Sequence, residues 1–129
     1  MLDDAQELLN QDWTGHCYEA ATKYAGAVKD EDLLVVHGSI CANGRRIRHA
    51  WCESGDNVVD LASPDRKIFA QSEYYQLFAP DVRQRLSVKD ALLFSFAHGY
   101  VAWEESVPFR PDLVAELNSL ADDHEDGEI

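Results

Sequence analysis

A cysteine, a histidine and an aspartate follow one another in this chain, each in a local sequence suited to chemistry. Cys17 stands where a loop runs into an Ala-rich helix, His49 lies in a strand-like run, and Asp60 ends the segment Asn-Val-Val-Asp. A thiol at a helix N-terminus, an imidazole on a strand and a carboxylate on the next strand suit a nucleophile, a base and an orienting group. If the three converge in the fold, the chain is a cysteine hydrolase or an acyl transferase.

Two predicted hairpins test whether the histidine and the aspartate converge. Asn43-Gly44 is a strong signal for a two-residue turn, which places Gly38 opposite His49. A second turn at Ser54-Gly55 places His49 directly opposite Asp60, about 5 Å away between Cβ atoms. A turn at Gly55-Asp56 makes the two residues diagonal neighbours instead. Both registers leave the carboxylate within reach of the imidazole, so that it can fix the imidazole tautomer.

Side chains alternate between the two faces of a sheet, and this sorts the other candidates. His49 shares an apolar face with Trp51, and we expect this face to pack on a helix. Gly38, opposite the imidazole, leaves room for it. The other face is largely polar and is expected to point outward; it carries His37, Ser39, Cys41, Arg46, Arg48 and Cys52. The His49–Cys52 spacing therefore does not predict a zinc site, since the two side chains point in opposite directions.

The position of Cys17 at a helix start favours a thiolate. Thr14 or Gly15 is expected to cap this helix, and the first-turn N–H groups and the helix dipole stabilise a negative sulfur. The same N–H groups can hold an oxyanion, and Gln11 offers a side-chain donor beside them. Trp13 and Trp51 are expected to contact the substrate.

The predicted elements form one α+β domain over residues 1–121, a small antiparallel sheet packed against helices. Residues 122–129 form an acidic tail that is expected to be disordered. The predicted helices cover residues 3–10, 16–28, 71–78, 87–98 and 111–120, and the predicted strands cover residues 33–42, 45–53, 57–61 and 66–70.

The composition limits the classes of function. The chain has 129 residues, a formal charge of −13 and three cysteines, too few for a full disulfide framework. The acidic balance disfavours nucleic acid and membrane surfaces as partners. No apolar run is long enough to span a membrane and no signal peptide is recognisable, which predicts a cytoplasmic protein. The charge itself fits a solvated surface adapted to high salt, or a mimic of DNA that occupies a DNA-binding partner.

At these residues the chain resembles the transglutaminase-like and papain-like cysteine enzymes. His49-Ala50-Trp51 followed by Val-Val-Asp60 resembles the transglutaminase-type strand pair, and Gln11 and Gly15 precede Cys17 by six and two residues, as in papain-like members. The resemblance covers about residues 11–62. It implies a papain-like or transglutaminase-like core, with Cys17 as nucleophile, His49 as base, Asp60 as orienting group and Gln11 as oxyanion donor. The hairpin from His49 to Asp60 is shorter than the family pattern.

Together these features predict a small cysteine hydrolase that cleaves a peptide or protein amide through a thioester, without cofactor or metal. Deamidation and transamidation share the first step, and hydrolysis ranks ahead of them. The alternative is a non-catalytic acidic module, either a DNA mimic or a transglutaminase-like fold with an inactive triad, that blocks a partner protein.

Overall fold

The computed structural model describes residues 4–103 and has the predicted α+β class. Residues 111–120, predicted as a helix, and the predicted tail 122–129 lie outside this range. The helices are α1 (Asp4–Leu9), α2 (Cys17–Ala27), α3 (Gln71–Phe78) and α4 (Val88–His98), and the strands are β1 (Leu34–Ala42), β2 (Arg45–Ser54), β3 (Asn57–Val59), β4 (Ile68–Ala70) and β5 (Asp81–Ser87).

The strands form one antiparallel sheet in the order β4-β3-β2-β1-β5. Asn43 and Gly44, with φ values of 54° and 75°, make the tight turn between β1 and β2. Gly38 pairs with His49, which confirms the predicted register of this hairpin.

The second hairpin adopts the alternative register. Ser54 pairs with Asn57, and Cys52 pairs with Val59, so the turn is Gly55-Asp56. The register that pairs His49 directly with Asp60 is therefore wrong, and the two residues are diagonal neighbours. Gly55 has a φ of 58°, a conformation that glycine adopts without strain.

Helices cover both faces of the sheet. Val35, Ala50 and Cys52 belong to a buried cluster with residues of α2 and α4, such as Ala21 and Phe94. A second buried cluster on the other face joins the sheet to α3; it consists of Val36, Ile40, Trp51, Val58, Phe69 and Tyr74. The helix that packs beneath the face of His49 is thus α3, not the helix that carries Cys17.

The face expected to point outward is covered where α2 and α4 lie. His37 and Cys52 are buried there, while Cys41, Arg46 and Arg48 are exposed. His37 accepts a 3.0 Å hydrogen bond from the Trp103 N–H through Nδ1, and burial lowers its pKa to about 4. A neutral imidazole and a thiol pack as small apolar groups, so their polarity was a poor guide to exposure.

Strand β5 was not predicted. Exposed residues alternate in β5 with the less exposed Val82, Gln84 and Leu86, and the polar Gln84 interrupts the apolar pattern. The strand forms an edge of the described sheet. The pairing of β1 with β5 shifts between His37 and Gly38, and a Cβ on Gly38 would lie 2.2 Å from the carbonyl oxygen of Asp81. This close approach, rather than room for the imidazole, is what requires glycine there.

Among residues 4–103, no helix is both long and apolar enough to cross a membrane.

Candidate active site

Cys17 is the first residue of α2. The N-cap is His16, whose carbonyl accepts the 2.9 Å hydrogen bond from the Ala20 N–H. The predicted caps are wrong, because Thr14 bonds instead to the carboxylate of Asp12, through its N–H and its hydroxyl. The His16 side chain makes no capping hydrogen bond, so it leaves the first-turn N–H groups beside the thiol uncovered.

His49 lies between Asp60 and Cys17. Its Nε2 is 2.8 Å from Oδ2 of Asp60, and the neighbouring Cys17 side chain contributes to the raised pKa of the ring. Because Nε2 faces the carboxylate, Nδ1 is the ring nitrogen that remains for the thiol. Burial lowers the pKa of His49, but the hydrogen bonds and charges of Asp60 and Cys17 outweigh burial and raise this pKa from 6.5 to about 10.

The shortness of β3 allows these residues to meet. β3 pairs with β2 only from Cys52 to Ser54, so no described strand covers the edge of β2 beside His49. Cys17 reaches this edge from the helix layer of α2, while His49 belongs to the face that packs on α3. Asp60 follows directly after the last residue of β3 and lies beside the same edge, at the start of the loop that leads to β4.

Asp60 is buried and held by its backbone and its side chain. Its N–H donates a 2.7 Å hydrogen bond to the Lys67 carbonyl, and its carbonyl accepts one from the Ser63 N–H. The Tyr74 hydroxyl donates to Oδ2 at 2.7 Å, the oxygen that also faces His49. Burial, together with the charge of Asp60, raises the pKa of Tyr74, so that this phenol remains a donor.

Two residues that position the site were missed from the sequence. Tyr74 is one of several aromatic residues in the sequence, and nothing in its spacing points to Asp60. Lys67 donates to the Gln11 carbonyl through Nζ while its own carbonyl accepts from Asp60, so it links the loop before Cys17 to the carboxylate.

Trp51 lies beneath the imidazole and not on a substrate-binding surface. It is fully buried, its ring stacks on His49 at 6.3 Å between centroids, and its Nε1 donates to Glu53. The expectation that Trp51 contacts a substrate is therefore wrong. The cause is that α3 covers this face of the sheet, so the indole supports the imidazole from inside the core.

The roles expected of Trp13 and Gln11 stay predictions. Trp13 is half-buried and donates a 2.9 Å hydrogen bond to the Leu8 carbonyl, with Lys23 Nζ 5.7 Å from its ring centroid. The Gln11 side chain is exposed. It lines a cavity of about 320 Å³ between the loop before Cys17 and the loop after Asp60; the other lining residues are Leu9, Asn10, Asp12, Thr14, Ser63, Pro64 and Lys67.

The three cysteines have different environments. Cys17 is partly exposed and Cys41 is exposed, and both are free thiols. Cys52 is fully buried, its Sγ donates to the Ala21 carbonyl at 3.3 Å, and burial raises its pKa. No group of three or more His, Cys, Asp or Glu side chains within residues 4–103 is arranged to hold a metal ion.

Comparison of the chain with protein-family models, with curated proteins and with solved structures gives no match. The functional argument therefore rests on the geometry of the site.

Proposed function

We propose that this protein is a cysteine hydrolase that cleaves a peptide or protein amide, on a core of the transglutaminase-like or papain-like type. Cys17 is the nucleophile, His49 the general base and acid, and Asp60 the orienting group. One observation carries the proposal: the His49 ring bonds Asp60 through Nε2 at 2.8 Å, and the Cys17 side chain is near enough to the same ring to raise its pKa. A nucleophile, a base and a group that orients the base are the parts that acyl transfer needs.

In the first half of the reaction, the Cys17 thiolate attacks the amide carbonyl carbon. A C–S bond forms and the carbonyl π electrons move to oxygen, which becomes an oxyanion. The first-turn N–H groups of α2 and the Gln11 amide are the donors proposed for this oxygen. The His49 imidazolium then gives its proton to the amide nitrogen, the C–N bond breaks, and an amine leaves behind a thioester on Cys17.

In the second half, neutral His49 takes a proton from a water molecule that attacks the thioester carbonyl. The C–S bond breaks, a carboxylic acid leaves, and the thiolate and imidazolium are restored. Asp60 stabilises the imidazolium in both halves. The raised pKa of His49, about 10, favours this protonated form at neutral pH.

The chain supplies its own control for a test of nucleophile activation. Cys41 is an exposed, free thiol on the same molecule, and its rate of alkylation serves as the internal reference. The full chain is treated with iodoacetamide at about pH 6, and the modification of Cys17 and Cys41 is followed by peptide mass spectrometry. The variants Cys17→Ala and His49→Ala are measured beside the wild type.

We expect Cys17 to react at least about tenfold faster than Cys41 at this pH, because only thiolate reacts. His49→Ala removes this difference and leaves the rate at Cys41 unchanged. Equal rates at Cys17 and Cys41 in the wild type would contradict the proposal. A library of peptide thioesters and amides, scored for an acyl group retained on Cys17, then identifies the substrate.

A further inference from the structure

Tyr74 contacts the candidate triad from α3. Its hydroxyl donates a 2.7 Å hydrogen bond to Oδ2 of Asp60, and the same oxygen lies 2.8 Å from Nε2 of His49. Oδ1 is buried and accepts no hydrogen bond from residues 4–103. One carboxylate oxygen thus serves two donors, while the other has no partner in this part of the chain.

Aromatic neighbours fix the direction of the Tyr74 hydroxyl. The ring is fully buried, and the centroids of Trp51, Phe69 and Phe78 lie 5.7, 5.2 and 4.9 Å from its own. Packing has already removed the rotational freedom of this side chain, so its hydrogen bond to Asp60 requires no additional ordering. Three of these four aromatic rings come from α3 and the strand before it.

We propose that Tyr74 is a positioning residue of the triad, which holds Oδ2 of Asp60 toward His49 and thereby orients the imidazole against Cys17. The proposal rests on the proposed function. Without the hydroxyl, the carboxylate is freer to turn about its χ2 angle away from His49, because Oδ1 accepts no hydrogen bond from residues 4–103 that would resist the rotation. A hydrogen bond to an ionised oxygen is among the stronger ones and opposes the rotation.

The hydroxyl also shares the negative charge of Asp60 with His49. The titratable groups that face the Asp60–His49 pair are Cys17 from α2, Tyr74 from α3 and Cys52 from β2. Burial, followed by the charge of Asp60, raises the pKa of both Tyr74 and Cys52, so these two stay protonated where His49 titrates. When the Tyr74 hydroxyl is removed, His49 is the remaining described partner of Oδ2. The negative charge of this oxygen then acts on the imidazolium alone, which raises the pKa of His49.

The test is the pH profile of Cys17 alkylation by iodoacetamide in the full chain, for wild type, Tyr74→Phe and Tyr75→Phe. Tyr75 is the matched control: it is the next residue of α3, and its hydroxyl donates to Glu53 instead of Asp60. Two effects are expected of Tyr74→Phe. The loosened carboxylate orients the imidazole less well, which lowers the rate at about pH 6 roughly tenfold, and the negative charge no longer shared with the hydroxyl moves the alkaline limb of the profile to higher pH. Tyr75→Phe should stay within about twofold of the wild type.

A fluorinated tyrosine at position 74 provides a second variant in case Tyr74→Phe does not fold. It keeps the ring and the hydroxyl but is a stronger hydrogen-bond donor. It should therefore withdraw more charge from Oδ2 of Asp60 and move the alkaline limb of the profile to lower pH. The positioning role is overturned if the limb stays in place in both variants, or if Tyr75→Phe moves it equally. The wild-type arm separates the two proposals: a wild-type Cys17 no faster than Cys41 overturns both, whereas an activated Cys17 with an unmoved limb overturns the role of Tyr74 alone.

Discussion

His49 and Asp60 meet diagonally across β2 and the end of β3, with Nε2 and Oδ2 2.8 Å apart and both side chains buried. Burial of a charge is costly, so the protonated form of His49 depends on the carboxylate of Asp60 beside it. Removal of their hydrogen bond should therefore change both the pKa of His49 and the reactivity of Cys17.

Replacement of Asp60 by Asn tests this relationship directly. The amide has the same shape but no charge, so we expect the pKa of His49 to fall from about 10 toward 6.5. Alkylation of Cys17 at about pH 6 should drop by about tenfold or more, toward the rate at Cys41, because the imidazolium that stabilises the thiolate is lost. His49 is followed by NMR titration and Cys17 by mass spectrometry. Asp56→Asn, an exposed change in the adjacent turn, is the control, and an equal effect there would contradict the assignment.

The stability of the fold should decrease in alkaline solution because of His49. Its pKa is about 10 in the folded chain and 6.5 as a model value, so the folded state binds more protons between these limits. The stabilisation is complete below about pH 6.5 and is lost as the pH rises through about 10. Urea unfolding of wild type and His49→Gln across this range measures the difference. Parallel curves for the two proteins would show that His49 contributes no such stability.

His37 should produce the opposite dependence in acid. Burial lowers its pKa from 6.5 to about 4, so the unfolded chain binds more protons between these values. We expect stability to be lost as the pH falls from 6.5 through about 4, by up to about 3 kcal/mol. His37→Gln retains an acceptor for the Trp103 N–H but has no group that titrates in this range. Its unfolding free energy should therefore not show this acid-dependent loss. The check is the difference in unfolding free energy between wild type and variant, which has to grow toward neutral pH in favour of the wild type.

Two glycine substitutions should have opposite signs. A Cβ at position 38 lies 2.2 Å from the Asp81 carbonyl oxygen, so Gly38→Ala must displace β5 and should destabilise the fold by more than about 2 kcal/mol. Gly26 lies within α2, where a Cβ would be 3.7 Å from Leu92, an ordinary contact. Gly26→Ala should stabilise the fold by about 0.5–1 kcal/mol through helix propensity. Thermal unfolding of both variants measures the sign of each change in stability. A Gly38→Ala protein as stable as the wild type would contradict the close packing of β1 and β5.

The sequence predicted those features that depend on local rules. Asn43-Gly44 set the first hairpin, and the alternation of side chains placed His49 and Trp51 on one face. Ser87 was expected to begin α4, and its hydroxyl accepts from the Asp90 N–H in the structure. Each of these depends on residues that are near one another in the chain.

Features that depend on distant packing were not predictable. The second hairpin has two candidate turns in the sequence, Ser54-Gly55 and Gly55-Asp56, and local rules do not decide between them; the structure adopts Gly55-Asp56. Cys52 and His37 look polar in sequence, yet both are buried on the face of the sheet that α2 and α4 cover. The Tyr74–Asp60 bond joins an element to a residue 14 positions earlier, with no periodic signal between them.

The placement of Cys17 and His49 in different layers has a consequence for how the protein assembles. The cysteine comes with the α2 layer and the histidine with the α3 face, and they meet only at the open edge of β2. A partly folded chain with one layer docked would contain both residues but not the contact between them. A fast-reacting Cys17 would therefore report completed folding of the whole domain, and reactivity gained late in refolding would time the docking of the two layers.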